Sequence, residues 1–146
     1  MKVAVGCDPN ASELKLTIID LLKELGHEVK DFGSEDPIYP NVAFTVGESV
    51  ASGEYERGIL LCGTGIGMSI AANKVPGVYA ALCSDAYSAE RAIKSNNANV
   101  MALGAFTVGR ELAKTMVKVW MDSRWETGTR SEPKYQAIVD YAEGKK

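Results

Sequence analysis

The chain has 146 residues, of which 46% are hydrophobic and 24% charged, a composition typical of a single globular domain spanning residues 1–146. Its formal net charge of −3 argues against a nucleic-acid partner, which would usually need a basic face, and no apolar run is long enough to span a bilayer. The three cysteines form no C-x-x-C pair and no signal-peptide pattern is present, so we expect a cytoplasmic protein without a bound metal.

Segments with strand and helix patterns alternate along the chain. Short apolar or β-branched runs predict five strands, at residues 2–6, 28–32, 58–62, 77–83 and 99–103. Apolar residues at helical spacing predict helices over residues 12–25, 42–52, 68–74, 86–94, 107–123 and 132–141. This alternation predicts an α/β fold of three layers, Rossmann-like (doubly wound), with a five-stranded parallel sheet.

Ligands of open parallel sheets bind beyond the carboxyl ends of the strands. This rule selects five places to inspect: Cys7-Asp8, the 33–41 loop, residues 62–67, residues 83–85 and the region around Ser95–Asn97. At the first of these places, the Asp8 carboxylate could accept hydrogen bonds from substrate hydroxyls or cap the helix that follows, and the sequence favours neither interpretation.

The segment Cys62–Gly67, which reads Cys-Gly-Thr-Gly-Ile-Gly, joins a buried strand to a helix through three glycines. Glycines let the backbone approach a ligand, and successive N–H groups before a helix can bind an anion. A cysteine thiolate beside such amides is suited to removing a proton α to a carbonyl, because the amides can hold the enediolate. The same glycines could instead only close a tight turn, and the segment matches neither the dinucleotide fingerprint nor a P-loop.

Other polar residues carry weaker signals. Asn96 follows the fourth helix and could cap it or direct its amide at a substrate. Arg130 and Lys134 lie four residues apart and could bind a phosphate, although a solvated polar surface explains such charges more often. The single histidine, His27, is expected in a solvated turn, which leaves little basis for a Cys-His mechanism.

Several segments together match the motifs of one family, over almost the whole chain: Gly6-Cys7-Asp8, Tyr39-Pro40, residues 58–74, Asn96, Asn99-Val100 and Ala102-Leu103-Gly104. On these residues the chain resembles the family of ribose-5-phosphate isomerase type B and the galactose-6-phosphate isomerase subunits. The segment from Gly58 to Lys74 matches the family's hallmark nearly residue for residue, so the resemblance is specific.

The resemblance implies aldose–ketose interconversion of a phosphorylated sugar through a cis-enediol, with neither metal nor organic cofactor. It implies Cys62 as the base and Thr64 as a helper in proton transfer. It also implies a homodimer or a dimer of dimers, with sites at the subunit interface. The implied substrate contacts are the backbone N–H groups of Gly63, Gly65, Ile66 and Gly67, together with Asp8, Tyr39 and Asn96.

The chain also departs from the family pattern. Pro9 and Ser95 stand where the family usually has histidines, and the second of these histidines is associated with opening a furanose ring. Phe106 replaces a phosphate-binding arginine, whereas Arg130 is kept and Lys134 replaces another arginine. Because serine cannot shuttle a proton near neutral pH as histidine does, we expect Ser95 to contact an open-chain substrate, such as a tetrulose phosphate or a pentose phosphate.

Three alternatives remain at this point. The substrate could be a related or unphosphorylated sugar, which the loss of arginine at Phe106 suggests. The chain could be one subunit of a hetero-oligomer that needs a second chain, as in the galactose-6-phosphate isomerases. Less favoured is a flavodoxin-like nucleotide-binding module, for which Tyr39 alone offers a base-stacking aromatic side chain.

Overall fold

The structure is a computed structural model that describes residues 1–33 and 35–145. Ser34, in the 33–41 loop, and Lys146 lie outside the described residues. The described strands are β1 (Lys2–Cys7), β2 (Glu28–Asp31), β3 (Arg57–Cys62), β4 (Ala80–Leu82) and β5 (Val100–Gly104). The described helices are α1 (Ser12–Glu24), α2 (Pro40–Ala51), α3 (Ile66–Ala72), α4 (Ala86–Lys94), α5 (Arg110–Asp122) and α6 (Glu132–Ala142), with a 3₁₀ turn at Pro9–Ala11.

In the described part of the chain the strands form one sheet in the order β2-β1-β3-β5-β4, and all neighbours pair in parallel. The predicted Rossmann-like fold with a five-stranded parallel sheet is therefore confirmed. The chain proceeds from β1 outward to β2 and then returns to β3 on the other side of β1. This reversal opens a crevice between the carboxyl ends of β1 and β3, where ligands of such sheets bind.

Two hydrophobic clusters cover the two faces of the sheet. One packs α1, α4 and α5 on the side chains of one face and includes the fully buried Ile18, Leu61 and Trp120. The other packs α2 and α3 on the opposite face and includes Leu60 and Cys62. Alternate residues of β3 thus point to opposite layers, and Cys62 points to the layer of α2 and α3. None of the helices in the described residues is long and apolar enough to cross a membrane.

A fourth strand lies within the predicted range, but its predicted burial and its bounds of residues 77–83 are wrong. β4 is shorter and forms the edge of the sheet, and its Leu82 is 43% exposed. The residues before it do not pair in the ladder, because the Asn99 side chain binds them instead: its Oδ1 accepts from the Tyr79 N–H at 2.8 Å and its Nδ2 donates to the Gly77 carbonyl at 2.9 Å. The apolar run therefore belongs to an edge strand, which has a neighbouring strand on one side only.

The helices return the chain from the carboxyl ends of the strands, here called the carboxyl edge, to the amino ends, the amino edge. Helix α4 begins beyond the end of β4 and brings the chain back to the start of β5. The end of α5 lies beside the start of β3, since the Arg57 guanidinium donates to the carbonyls of Trp120 and Ser123 at 2.6 and 2.7 Å. The segments after α4 and after α5 therefore both lie at the amino edge.

Candidate active site

Cys62 ends β3 at the carboxyl edge, next to the crevice between β1 and β3. The residue is only 6% exposed, and the Gly65 N–H donates to its Sγ at 3.1 Å. The chain therefore turns back over the sulfur within three residues. A backbone N–H at this distance can support negative charge on the sulfur, as a proton-abstracting thiolate requires.

The carboxyl end of β5 holds the loop after Cys62 in place. Gly65 has a φ of +81°, which favours glycine, and a Cβ placed on it would lie 2.9 Å from the Leu103 carbonyl carbon. A Cβ on Gly104 would lie 2.6 Å from the Thr64 carbonyl carbon. The Ala105 N–H also donates to the Cys62 carbonyl at 2.8 Å. The glycines thus allow two backbone segments to pack directly on each other.

Thr64 is exposed on this loop, and its Oγ1 accepts a hydrogen bond from the Ile66 N–H at 3.2 Å. Two of the amides expected to hold an oxyanion, those of Gly65 and Ile66, therefore bind Sγ and Oγ1 in this structure. A substrate oxyanion would have to compete with the sulfur and the hydroxyl for these donors. The side chains of Cys62 and Thr64 are thus linked to the same short row of amides.

Asp8 and Tyr39 lie at the same edge. Asp8 follows β1, and its N–H donates to the Leu61 carbonyl at 3.0 Å, which places it beside the end of β3. Its carboxylate accepts from the Asn10 N–H at 3.0 Å, so the capping role is present in the structure. The Tyr39 side chain lies on Gly67: a Cβ there would clash with the hydroxyl and lie 2.6 Å from Cζ. The structure thus gathers Asp8 and Tyr39 around the loop.

Ser95 and Asn96 do not join this group. The expectation that the Ser95–Asn97 region lies beyond the carboxyl ends of the strands is wrong, because α4 carries it back to the amino edge. There the Ser95 N–H and the Asn96 Nδ2 both donate to the Arg91 carbonyl, at 2.9 and 3.0 Å, and close the helix. The contacts that Asn96 makes within this chain are therefore those of a helix cap, one of the two roles considered for it.

Arg130 and Lys134 also lie at the amino edge, in the segment that follows α5. Arg130 lines a cavity of about 340 Å³ with Arg91, Lys94 and Arg124, whereas Lys134 does not line it. Within one chain, the sheet therefore separates these cations from Cys62.

The sequence did not predict two features of the site, the packing of the Phe106 ring and an exposed apolar face on α3. The Phe106 N–H donates to the Gly63 carbonyl at 2.9 Å, and its ring lies against Gly63 although 72% of the residue is exposed. Ile66 and Ile70 are also exposed, and both lie on α3 beside the loop. Their spacing of four residues was the available signal, since it places both on one face of the helix.

In residues 1–33 and 35–145, no group of three or more His, Cys, Asp or Glu side chains could hold a metal ion.

The chain is similar to several known sugar-phosphate isomerases. A family model described as ribose/galactose isomerase matches residues 3–138. The chain is 50% identical over 145 residues to D-erythrulose-4-phosphate isomerase of Pectobacterium atrosepticum, covering 97% of this chain and 95% of that protein. It is 50% identical over 143 residues to ribose-5-P isomerase B of Listeria innocua, covering 96% of each. Ribose-5-phosphate isomerase B of Clostridium thermocellum superposes with a TM-score of 0.92 at 41% identity, covering 99% of both chains.

The fold and the cysteine-bearing loop thus define an isomerase of the Rossmann-like α/β class. The chain belongs to the ribose/galactose isomerase family, and the family predicted from its motifs is confirmed. The predicted enzyme class, an aldose–ketose isomerase and therefore an intramolecular oxidoreductase, is confirmed with it. The flavodoxin-like nucleotide-binding alternative is not favoured by these relatives.

Proposed function

We propose that this isomerase interconverts the aldose and ketose forms of a sugar phosphate, with Cys62 as the group that moves the carbon-bound proton. The relatives support the substrate class, because two of them at 50% identity are named for erythrulose 4-phosphate and ribose 5-phosphate. The observation that carries the role of Cys62 is the position of its Sγ, 3.1 Å from the Gly65 nitrogen at the mouth of the β1–β3 crevice.

The proposed reaction begins when the Cys62 thiolate removes a proton from C1 of the ketose. The electron pair moves into a C1–C2 double bond, and the carbonyl oxygen becomes an enediolate oxygen held by the loop amides. Cys62 then returns its proton to C2, while the proton of the C1 hydroxyl passes to O2. In this proposal Thr64 carries that second proton, which is supported by the contact of its Oγ1 with the Ile66 N–H of the same loop.

An open-chain substrate fits the residues that are present. Opening a furanose ring requires a group that exchanges protons near neutral pH, and Pro9 and Ser95 cannot do this. The only histidine in the sequence, His27, is not available at the carboxyl edge, because its Nδ1 lies 3.1 Å from the Met1 amine. A four-carbon ketose phosphorylated at its terminal oxygen cannot close a furanose ring. We therefore place a tetrulose phosphate ahead of a pentose phosphate.

NMR assays of D-erythrulose 4-phosphate, ribose 5-phosphate and a hexose 6-phosphate with the purified chain would test the substrate. We expect the tetrulose phosphate to be isomerised fastest, and Ser95→His to raise turnover of the pentose phosphate specifically. Faster turnover of ribose 5-phosphate by the unmodified chain would contradict the open-chain argument. Turnover of none of the three without a second chain would overturn the proposal for this protein alone.

We further propose that the working enzyme is a homodimer, or a dimer of dimers, in which each site draws on two subunits. Cys62 and Asp8 lie at the carboxyl edge, whereas Ser95, Asn96 and Arg130 lie at the amino edge. The six residues of β3 that separate the edges extend over about 16 Å, since a strand rises about 3.3 Å per residue. A four-carbon substrate is too short to reach both edges of one subunit, but a partner could bring its amino edge to Cys62.

An exposed apolar surface beside the loop supports a second copy as the partner. It consists of Ile66, Ile70, Leu82 and Phe106, which border the glycine loop from α3, β4 and the end of β5. If a second copy of the chain covered this surface, the resulting two-fold dimer would have two equivalent sites, each next to the interface.

Mixing two inactive variants would test the shared site. A Cys62→Ala chain and an Arg130→Glu chain, unfolded and refolded together in equal amounts, should recover about a quarter of the parental activity. Half of the dimers would be mixed, and each would contain one intact site of two. If Cys62 and Arg130 served one site within the same subunit, mixing would restore no activity. Refolding each variant alone provides the control.

We also propose a cytoplasmic location. A sugar phosphate is charged and does not cross membranes unaided, and a chain with an odd number of cysteines and no paired motif fits a reducing compartment. Fractionation of cells that express the untagged chain should find it with cytosolic enzymes, and recovery in a membrane or secreted fraction would contradict this.

A further inference from the structure

A strongly cationic cavity lies at the amino edge, between the end of α4 and the segment after α5. Its volume is about 340 Å³, and we call it the amino-edge cavity. Arg91 and Lys94 line it from α4, and Arg124 and Arg130 line it from the other side. Its remaining lining residues are Glu126, Thr129 and Ser131.

Existing contacts neutralise these four cations only in part. Arg91 and Lys94 share one carboxylate, Glu90, at 3.3 and 3.5 Å. Arg124 donates only to backbone carbonyls at the end of α5, and among the described residues Arg130 has no ion pair. The cavity thus gathers four cations around one lining carboxylate, that of Glu126, and like charges this close repel each other unless an anion binds between them.

Two observations indicate that the cavity favours an anion. The Arg91 Nε is buried and has no hydrogen-bond partner among the described residues, although buried donors are normally paired. Arg124 also lies beside a second cation, because its guanidinium and that of Arg57 both donate to the Ser123 carbonyl, and the pKa of Arg57 is lowered to about 10, chiefly by burial and further by the charge of Arg124. Both observations are independent of the family motifs, which pointed to Arg130 and Lys134.

We propose that Arg91 and Arg124 act with Arg130 to bind the terminal phosphate of the substrate, and that their combined charge selects a dianion over a monoanion. This inference rests on the proposed function and on the shared site, which would bring the cavity to Cys62 of the partner subunit. A phosphate monoester carries about −1.5 to −2 charges at pH 7, whereas a sulfonate carries one. Arginine also offers two parallel N–H donors to a phosphate, which favours its tetrahedral oxygens.

The assignment differs from the one that the motifs implied. Lys134 does not line the cavity, so the anion-binding role expected of Lys134 is assigned to Arg91 and Arg124 instead. Phe106, which stands where the family pattern has a phosphate-binding arginine, lies on Gly63 at the carboxyl edge and offers no charge. The cavity therefore supplies the cations that the loss of an arginine at position 106 removes.

The test compares two substrates and several variants. Purified parent, Arg91→Ala, Arg124→Ala and the control Lys118→Ala would be assayed with erythrulose 4-phosphate and with its 4-sulfonate analogue. Lys118 is an exposed cation of α5 that lies outside the cavity. We expect each arginine variant to raise KM for the phosphate about tenfold, as loss of a charged hydrogen bond does, with a smaller rise for the sulfonate and little change in kcat. Lys118→Ala should keep the parental preference.

Titration calorimetry with inorganic phosphate gives a second measurement that does not depend on turnover. Phosphate should bind the parent and Lys118→Ala alike, bind Arg91→Ala and Arg124→Ala about tenfold more weakly, and bind Arg91→Lys with intermediate affinity. The Arg124→Lys variant, together with the thermal unfolding midpoints of all variants, shows whether a weaker phosphate affinity results from lost contacts at the end of α5. Unchanged phosphate affinity and an unchanged phosphate-to-sulfonate ratio in both alanine variants would overturn the inference. A parent that binds phosphate but isomerises neither substrate would instead overturn the proposed function.

Discussion

Replacing Gly104 with alanine would test whether the end of β5 positions the Cys62–Gly67 loop. A methyl group at this position would lie 2.6 Å from the Thr64 carbonyl carbon and 2.7 Å from its Cα. Carbon atoms in contact normally stand about 3.5–4.0 Å apart, so one backbone segment must move by about 1 Å. Both atoms belong to the main chain, and no side-chain rotation can relieve the clash.

The expected size of the effect follows from this displacement. Overpacking of this kind costs about 1–3 kcal/mol of folding free energy, which lowers Tm by roughly 3–10 °C in a chain of this length. A shift of about 1 Å in a catalytic group can cost about 100-fold in rate. Gly104→Ala should therefore lose about 100-fold in kcat at a temperature where the variant is fully folded.

Gly109→Ala is the matched control, because no atom outside its own segment lies within 4 Å of a Cβ at that position. Isomerisation followed by NMR, with thermal unfolding followed by circular dichroism, would separate activity from stability. The control should keep nearly all of its kcat and lose only a small part of its stability. If Gly104→Ala were folded and as active as Gly109→Ala, the contact between Gly104 and Thr64 would not position the loop.

Three further predictions concern buried charges and thiols. Arg57→Met removes the guanidinium that donates to three backbone carbonyls near the end of α5, two of which still accept from Arg124, and should cost about 1–3 kcal/mol in urea unfolding, whereas a loss below about 0.5 kcal/mol would contradict this. Burial raises the pKa of Cys83 to about 11, so iodoacetamide at pH 8 should leave this thiol unlabelled in the folded protein, and mass spectrometry showing rapid labelling would refute it. Burial alone would raise the pKa of Asp31, but hydrogen bonds from Lys15 and Gly33 lower it, so its stabilising effect is present at neutral pH and lost as pH falls through the lowered pKa. Lys15→Met should thus reduce the acid-induced loss of stability, and an unchanged pH profile would argue against the pair.

The order and type of the elements could be predicted because local signals agree along this chain. The apolar run of β3 ends at Cys62 and is followed at once by glycines, so the strand, the turn and the next helix were all visible. The alternation also predicted parallel pairing. The position of β4 at the edge could not be predicted, because strand order depends on which crossover passes over which neighbour.

The candidate site residues at the carboxyl edge could be placed from the sequence for the same reason, whereas those proposed at the amino edge could not. Asp8 and Cys62 each end a strand, and ends of parallel strands meet at one edge. Ser95 follows a helix that runs back across the sheet, so its place depends on the direction of that helix. Arg91 and Arg124 are distant in sequence and meet only through packing of α4 on α5. No local pattern marks such a pair.

Hydrogen–deuterium exchange at the substrate carbon tests the role of Cys62 most directly. The parent, Cys62→Ser and the control Cys83→Ala would be incubated in deuterated buffer with the tetrulose phosphate, and label at C1 would be followed by NMR. Cys62→Ser should lose about 10²–10⁴-fold of the exchange rate, the range that a positioned general base contributes, while Cys83→Ala stays near the parental rate. Exchange by Cys62→Ser at the parental rate would show that another group moves the proton.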